Sequence, residues 1–122
     1  MNPSVPLNQA KAELFRTLGH PVRIRVLELL QPGPAAVRDL LADLQIEASN
    51  LSQQLAVLRR AGLVSSTRQG ATVLYSLSTP HVAELLRAGR EILASVLGEA
   101  EGLLAELRED AVGAPDPSRE RA

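Results

Sequence analysis

Five short polar residues lie close together in the middle of the chain, and their side chains could form hydrogen bonds with a ligand: Ser49, Asn50, Ser52, Gln53 and Gln54. The amides of Asn and Gln pair a donor with an acceptor, as the edge of adenine requires, and a Ser hydroxyl suits either kind of partner. Leu51, Leu55 and Leu58 recur between them at helical spacing, so we predict a helix with these polar residues on its outer face. Such a helix could enter the major groove of DNA, although a solvated helix face also favours Ser and Gln.

Two further polar groups are expected beside this helix. Arg59 and Arg60 fall at its far end, where they could hold phosphates. After Gly62 the apolar period changes from 3.6 to 2, which predicts strands over about 63–68 and 72–77, joined by a turn at Gln69-Gly70. The tip of this hairpin would carry three residues able to reach the DNA backbone or the minor groove: Arg68, Gln69 and Thr72. The alternative is an ordinary polar turn.

Other elements must position this polar helix. Apolar spacing predicts three helices before it and a long one after the hairpin. Their expected ranges are 7–18, 21–31, 35–44, about 49–60, and 80 to about 109, with Ser49 or Asn50 as the cap of the fourth helix. The expected fold is mainly α with a small antiparallel β-hairpin. Four helices, two strands and a fifth helix, in that order, describe a winged helix-turn-helix.

The chain is long enough for one domain, which we place at residues 7–110. Residues 1–6 are expected to be flexible, and residues 111–122, rich in Pro, Gly and charges, to be disordered. No apolar run follows a basic start, and no apolar stretch is long enough to span a membrane. We therefore expect a cytoplasmic protein.

Composition argues against several classes of function. The chain has no Cys, which excludes disulfides, thiolate metal sites, iron–sulfur clusters and cysteine nucleophiles. With only two His and no Gly-rich phosphate loop, it offers no candidate catalytic site, so we do not expect an enzyme. The remaining classes are a DNA reader and a module that binds other proteins.

The charges are segregated along the chain, although the net charge is only −1. Residues 16–70 contain seven Arg and four acids, so 7 − 4 = +3, whereas residues 79–110 contain three Arg and seven acids, so 3 − 7 = −4. A basic centre suits phosphates. The acidic C-terminal segment could instead serve an accessory protein, which leaves open a winged-helix module that acts through a partner without specific DNA binding.

Two stretches carry a resemblance to a known family: LFRTLGHPVRIRVLELL and VRDLLADLQIEASNLSQQLAVLRRAGLVSSTRQGATVLYSL. Together they resemble the ArsR/SmtB family of small bacterial repressors over about residues 11–85. The motifs are a Leu-x-His-Pro-x-Arg start, a Ser-x-x-Leu-x-x-Leu-x-x-x-Gly-Leu-Val helix end and a Gly-x-x-x-x-Tyr wing. Gln54 departs from the pattern, because the family usually has His there; Gln keeps the ability to form hydrogen bonds.

The resemblance implies a homodimer that binds an inverted-repeat operator and represses transcription. Its two copies would join through the first and last helices. The long last helix has more apolar surface than one small domain can cover, which independently favours a partner. The residues expected in the dimer interface are apolar positions of these two helices: Leu14, Leu18, Leu86, Ile92, Leu93, Val96 and Leu97.

The resemblance also implies an effector, often a metal ion, that alters DNA binding. Family sites based on Cys are absent here. In another family site, two ligands lie at the start of the last helix and two further along it; of the corresponding residues, only His81 matches. Glu84 lies one turn away, so His81 and Glu84 could bind nickel, zinc or cobalt across the dimer. A small organic effector, a protein or no effector are the alternatives. His20, ahead of Pro21, is interpreted as structural.

Overall fold

The fold is taken from a computed structural model that describes residues 6–110, with side chains through residue 109. The predictions for residues 1–5 and for the tail 111–122 lie outside the described residues. The chain divides into a first unit that ends at Leu86 and a second that begins at Arg87.

The described residues form five helices and three strands, with these bounds: α1 Leu7–Leu18, α2 Pro21–Leu29, β1 Ala35–Ala36, α3 Val37–Leu44, α4 Ala48–Arg60, β2 Val64–Gln69, β3 Thr72–Leu77 and α5 His81–Asp110. The predicted order of helices is confirmed. The start of the third helix is wrong, because Ala35 and Ala36 form a strand instead of its first turn.

The sheet has three antiparallel strands in the order β1-β3-β2, so the predicted two-stranded hairpin is incomplete. Ala35 pairs with Tyr75 and Ala36 with Leu74, which places β1 on the free side of β3. The turn between β2 and β3 is formed by Gly70 and Ala71, one position later than predicted. Gly70 adopts a φ of 62°, a left-handed conformation that glycine accepts without steric cost.

Local signals explain where α2 and α4 begin and end. His20 is the N-cap of α2, where its Nδ1 accepts a hydrogen bond from the Val22 amide at 3.1 Å, and Pro21 occupies the first turn. His20 therefore has the structural role predicted for it. After α4, the Gly62 amide bonds to the Arg59 carbonyl and the Leu63 amide to the Leu58 carbonyl, each at 3.0 Å. This is a Schellman ending, and Gly62 supplies its left-handed residue.

The cap predicted for α4 is wrong. Its N-cap is Glu47, which makes no side-chain capping bond, and Ser49 and Asn50 lie inside the first turn. The C-cap of α3 is Gln45, in a left-handed conformation with φ 54°, and only three residues, Gln45, Ile46 and Glu47, connect α3 to α4. The short connection fixes α4 close behind α3, as a helix-turn-helix requires.

The core of the first unit is aliphatic. Val26 and Leu27 of α2 and Leu51 and Leu58 of α4 have no exposed surface, and Leu40 of α3 packs in the same cluster. Val82, in the first turn of α5, also belongs to this cluster. Burying such side chains contributes about 1.5–3 kcal/mol each, so the core holds α4 firmly against α2.

The second unit consists, in its described part, of α5 from Arg87 onward. The helix is continuous through Gly98. Every described side chain from residue 90 onward is exposed, including seven large apolar ones: Ile92, Leu93, Val96, Leu97, Leu103, Leu104 and Leu107. Among the described helices of both units, none has the length and apolar content needed to cross a membrane.

Candidate nucleic-acid interface

The outer edge of α4 carries exposed hydrogen-bonding side chains from Ser49, Ser52 and Gln53. The opposite side of the same helix is fixed by the buried Leu51, Leu55 and Leu58. This separation of faces confirms the predicted amphipathic pattern. We call the set Ser49, Asn50, Ser52 and Gln53 the polar edge; Asn50 is half-buried, and its three companions are exposed.

Gln54 does not belong to the polar edge, and its prediction as an outward-facing residue is wrong. Its side chain is only 8% exposed, and it is the buried polar residue of the described chain. Its Oε1 accepts a hydrogen bond from Nε of Arg23 at 2.8 Å, and its Nε2 donates to Oδ1 of Asn50 at 2.9 Å. Because both ends of the amide are occupied inside the protein, Gln54 is not available to read a base.

Arg23 is the polar residue near this edge that sequence reasoning missed. It lies in α2, 31 positions before Gln54, and its Nη1 also donates to the carbonyl of Thr17 at 3.1 Å. Arg23 was visible only as the Arg of the Leu-x-His-Pro-x-Arg motif. Nothing in the local pattern of α4 could have indicated so distant a partner.

Basic residues lie at the other end of α4. Arg59 and Arg60 are both exposed in its last turn. Cations are favoured at a helix C-terminus by the helix dipole, so these residues also stabilise α4. Both side chains extend into solvent at the C-terminal end of α4.

The hairpin tip carries the remaining polar residues. Arg68 and Gln69 are exposed at the end of β2, and Thr72, which pairs with Gln69 across the turn, is half-buried. Arg68 pairs with Val73 in the ladder. The alternation along β2 and β3 leaves Arg68 and Gln69 on opposite faces, so the two side chains do not extend to the same side.

His81 and Glu84 meet at the start of α5. The His81 Nδ1 lies 2.8 Å from the Glu84 Oε1, and both side chains are well exposed. The Thr79 hydroxyl accepts a hydrogen bond from the His81 amide at 3.2 Å, at the N-terminal end of α5. Within residues 6–109, no group of three or more His, Cys, Asp or Glu side chains is placed to hold a metal ion.

The residues predicted for the dimer interface fall into three groups. Leu18 is buried in the core of the first unit, so its assignment to an interface is wrong. Leu14 and Leu86 are half-buried against that core. Ile92, Leu93, Val96 and Leu97 are exposed. Phe15, also on α1, is 57% exposed.

The arrangement of these elements defines a class of protein. A polar-edged helix held by a preceding helix, followed by a two-stranded wing, is a winged helix-turn-helix. Residues 20–66 match the model for bacterial regulatory proteins of the arsR family. This range covers α2, α3, α4 and the start of β2.

Comparison with known proteins agrees. The chain is 51% identical over 106 residues to the uncharacterized HTH-type transcriptional regulator Rv0081 of Mycobacterium tuberculosis, covering 86% of this chain and 93% of that protein. The crystal structure of Rv0081 matches with a TM-score of 0.73, 52% identity, and coverage of 80% of this chain and 98% of that one. The HTH-type transcriptional regulator NmtR of the same species is 44% identical over 88 residues, which cover 69% of this chain and 73% of NmtR.

A third relative is described as a repressor. The crystal structure of the transcriptional repressor BigR from Xylella fastidiosa matches with a TM-score of 0.59 and 36% identity, covering 69% of this chain and 83% of BigR. The chain belongs to the ArsR/SmtB family. It is a DNA-binding transcriptional regulator with a winged helix-turn-helix fold, and its family is a class of regulators and not of enzymes.

Proposed function

We propose that this regulator is a repressor that binds an inverted-repeat operator as a homodimer, with the polar edge of α4 in the major groove. The observation that carries the proposal is the division of α4 into two faces. Ser52 and Gln53 are exposed, whereas Leu51 and Leu55, beside them in sequence, are buried. The side chains that can reach base edges are thus presented by a helix that the core holds rigidly.

Positive charge around this edge supports the proposal. Arg59 and Arg60 are exposed at the end of α4, and Arg68 is exposed at the tip of the wing. Phosphate contacts position a protein on the duplex, whereas base contacts read the sequence. We assign these three Arg to phosphates and the polar edge to bases.

A second copy is proposed because α5 exposes more apolar surface than a monomer normally leaves in water. Seven large apolar side chains between Ile92 and Leu107 are each at least 50% exposed. We call these seven side chains the apolar stripe. Continuous apolar patches of this kind mark interaction sites, and a two-fold axis would bring the apolar stripe of one copy against that of the other. Two-fold symmetry would place two α4 helices about 34 Å apart, one turn of DNA.

The proposal includes His81 and Glu84 as half of a site for nickel, zinc or cobalt. Their hydrogen bond of 2.8 Å places an imidazole nitrogen beside a carboxylate oxygen, and both atoms would have to exchange this contact for the metal ion. Two ligands do not complete a tetrahedral site, so the second copy would have to supply the others. Calorimetric titration of the dimer with each metal tests this. Heat that disappears in His81→Ala supports the site, and no heat above buffer at micromolar concentration contradicts it.

The main experiment measures binding to DNA from upstream of the regulator's own gene at two salt concentrations. A repressor should bind in the nanomolar range and lose affinity steeply as salt rises, because phosphate contacts release counterions. Gln53→Ala should weaken binding to this DNA about tenfold and leave binding to unrelated duplex nearly unchanged, because Gln53 is assigned to a base. Expression from that promoter should rise in cells that lack the protein.

Arg68→Ala is the matched control for Gln53→Ala. It should weaken binding to both duplexes by a similar factor and reduce the slope of log affinity against log salt by about one. Equal losses on both duplexes for Gln53→Ala would contradict base reading by the polar edge. Binding that does not depend on salt would contradict the assignment of the Arg residues to phosphates.

A further inference from the structure

A chain of hydrogen bonds connects α1, α2 and α4 directly beneath the polar edge. Arg23 donates through Nη1 to the Thr17 carbonyl and through Nε to Oε1 of Gln54. Gln54 then donates through Nε2 to Oδ1 of Asn50, at 2.9 Å. Gln54 is buried, whereas Arg23 and Asn50 are half-buried, so the chain leads from the interior to the outer edge of α4.

The guanidinium of Arg23 fixes the donor-to-acceptor direction of these hydrogen bonds. A guanidinium has only donors, so the atom of Gln54 that faces Arg23 must be its oxygen. The NH₂ group of Gln54 is then the end that faces Asn50, and the atom of Asn50 that receives it must be an oxygen. The NH₂ group of Asn50 therefore lies at the end of its amide that Gln54 does not occupy.

We propose that Gln54 is a positioning residue that fixes the Asn50 amide so that Asn50 presents a hydrogen-bond donor to DNA. The inference rests on the proposed role of the polar edge in the major groove. Three bases offer acceptors there: guanine through O6 and N7, adenine through N7 and thymine through O4. Cytosine offers its N4 amino donor instead. Asn50 should therefore select against cytosine at the position it contacts.

An Asn without such a partner would not discriminate in this way. The two ends of a free amide exchange by a rotation, so the residue can offer either its donor or its acceptor. Burial of Gln54 makes the fixed orientation costly to abandon, because turning its amide would place NH₂ against the Arg23 guanidinium and leave a buried donor unpaired. The anchor at Thr17 holds Arg23 itself in place.

Two substitutions reverse the hydrogen-bond pattern without removing the network. Asn50→Asp can still accept from Gln54, but it presents only acceptors to DNA. Gln54→Glu can still accept from Arg23, but it has no donor for Asn50, so Asn50 must turn its NH₂ inward and its oxygen outward. Gln54→Met has a similar length and no polar atoms at its end, so it releases Asn50 to either orientation.

The test selects bound duplexes from a randomised pool with the wild-type protein and then with each variant. The wild type should disfavour cytosine by about tenfold at one position of each half-site. Asn50→Asp and Gln54→Glu should both favour cytosine and adenine, whose amino groups donate, over guanine and thymine at that same position. Gln54→Met should accept all four bases. Gln31→Glu is the matched control, because it makes the same Gln-to-Glu change at an exposed residue outside α4 and should leave the preference at the Asn50 position unchanged.

Circular dichroism of each variant checks that the fold is intact. A purely structural role for Gln54 would lower the affinity of Gln54→Glu for all sequences without reversing any preference, and that result would overturn the inference. A preference for cytosine by the wild type would overturn it too.

A second measurement, on the free protein, separates this inference from the proposed function. Hydrogen exchange of side-chain amides by NMR should find the Gln54 NH₂ protons protected and the Asn50 NH₂ protons exchanging fast. Protected Asn50 protons would overturn the inference even if the protein binds its operator normally. Failure of the wild type to enrich any duplex would instead overturn the proposed function, and with it the role of Asn50 as a reader.

Discussion

The two units of the chain use the same residue type in opposite ways. In the first unit, Leu51 and Leu58 of α4 are fully buried by neighbouring helices. In the second, Leu93 and Leu97 of α5 are 60% and 56% exposed, although they too recur at a helical spacing. Periodicity thus indicates which side of a helix will be covered, but it does not reveal whether the cover comes from the same chain or from another copy.

The largest expected effect is on the core of the first unit. Leu58→Ala should lower the free energy of unfolding by about 2–5 kcal/mol, because it leaves a cavity among fully buried neighbours. Urea denaturation followed by circular dichroism measures this. Leu103→Ala is the control from the second unit, where the side chain is 59% exposed. In dilute protein, Leu103→Ala should lower the free energy of unfolding by only a small fraction of the loss caused by Leu58→Ala. Equal losses would contradict the contrast between buried leucines in the first unit and exposed leucines in the second.

The next effect concerns the proposed partner of the second unit. Leu93→Glu should weaken dimerisation by about a hundredfold or more, since the new carboxylate would be buried between two apolar stripes. Analytical ultracentrifugation across a concentration series gives the dissociation constant. Ser95→Glu adds the same charge two positions along, about 160° around the helix from Leu93, and should weaken the dimer far less.

The same pair of variants connects dimerisation to DNA binding. A monomeric Leu93→Glu protein should lose most of its affinity for an inverted repeat but little for a single half-site, because only one α4 helix binds at a time. Ser95→Glu should bind both probes like the wild type. If monomeric Leu93→Glu binds the inverted repeat as tightly as the wild type, the stripe on α5 serves some other purpose.

Much of the fold could be predicted because its helices have clear periods and clear ends. The buried face of α4 and the Gly62 ending follow from local spacing and from the conformational freedom of glycine. The strand β1 could not be predicted in this way. Two Ala residues carry no period, and they become a strand only because Ala35 and Ala36 pair with β3, nearly 40 positions later in the chain.

The candidate site was predictable to the same extent. Ser52 and Gln53 were correctly placed on the outer face, because their neighbours Leu51 and Leu55 define the inner one. Gln54 was misplaced because a Gln at the boundary of the two faces is ambiguous on pattern alone. Its orientation is decided by Arg23, which is distant in sequence, and pattern analysis of one helix contains no information about such a partner.

The smallest expected effect distinguishes two glycines of α5. A Cβ at either Gly89 or Gly98 would meet no atom within 4 Å in a single chain, and both glycines have ordinary helical conformations. Replacing a helical Gly by Ala should therefore stabilise the helix by about 1 kcal/mol at either site. Gly98→Ala should show this gain as a higher melting temperature with an unchanged dimer dissociation constant, since Gly98 lies away from the stripe.

Gly89→Ala should behave differently, because Gly89 lies three and four positions from Leu86 and Leu93 and therefore on the same side of the helix as the stripe. A methyl group there would separate two helices that approach closely, so the dimer should weaken although each helix is more stable. Equal dimer affinities for the two variants would mean that Gly89 does not face the partner. The leucines of the second unit would still differ from those of the first in their large exposure. The contact between the two copies would then be assigned to the C-terminal half of α5.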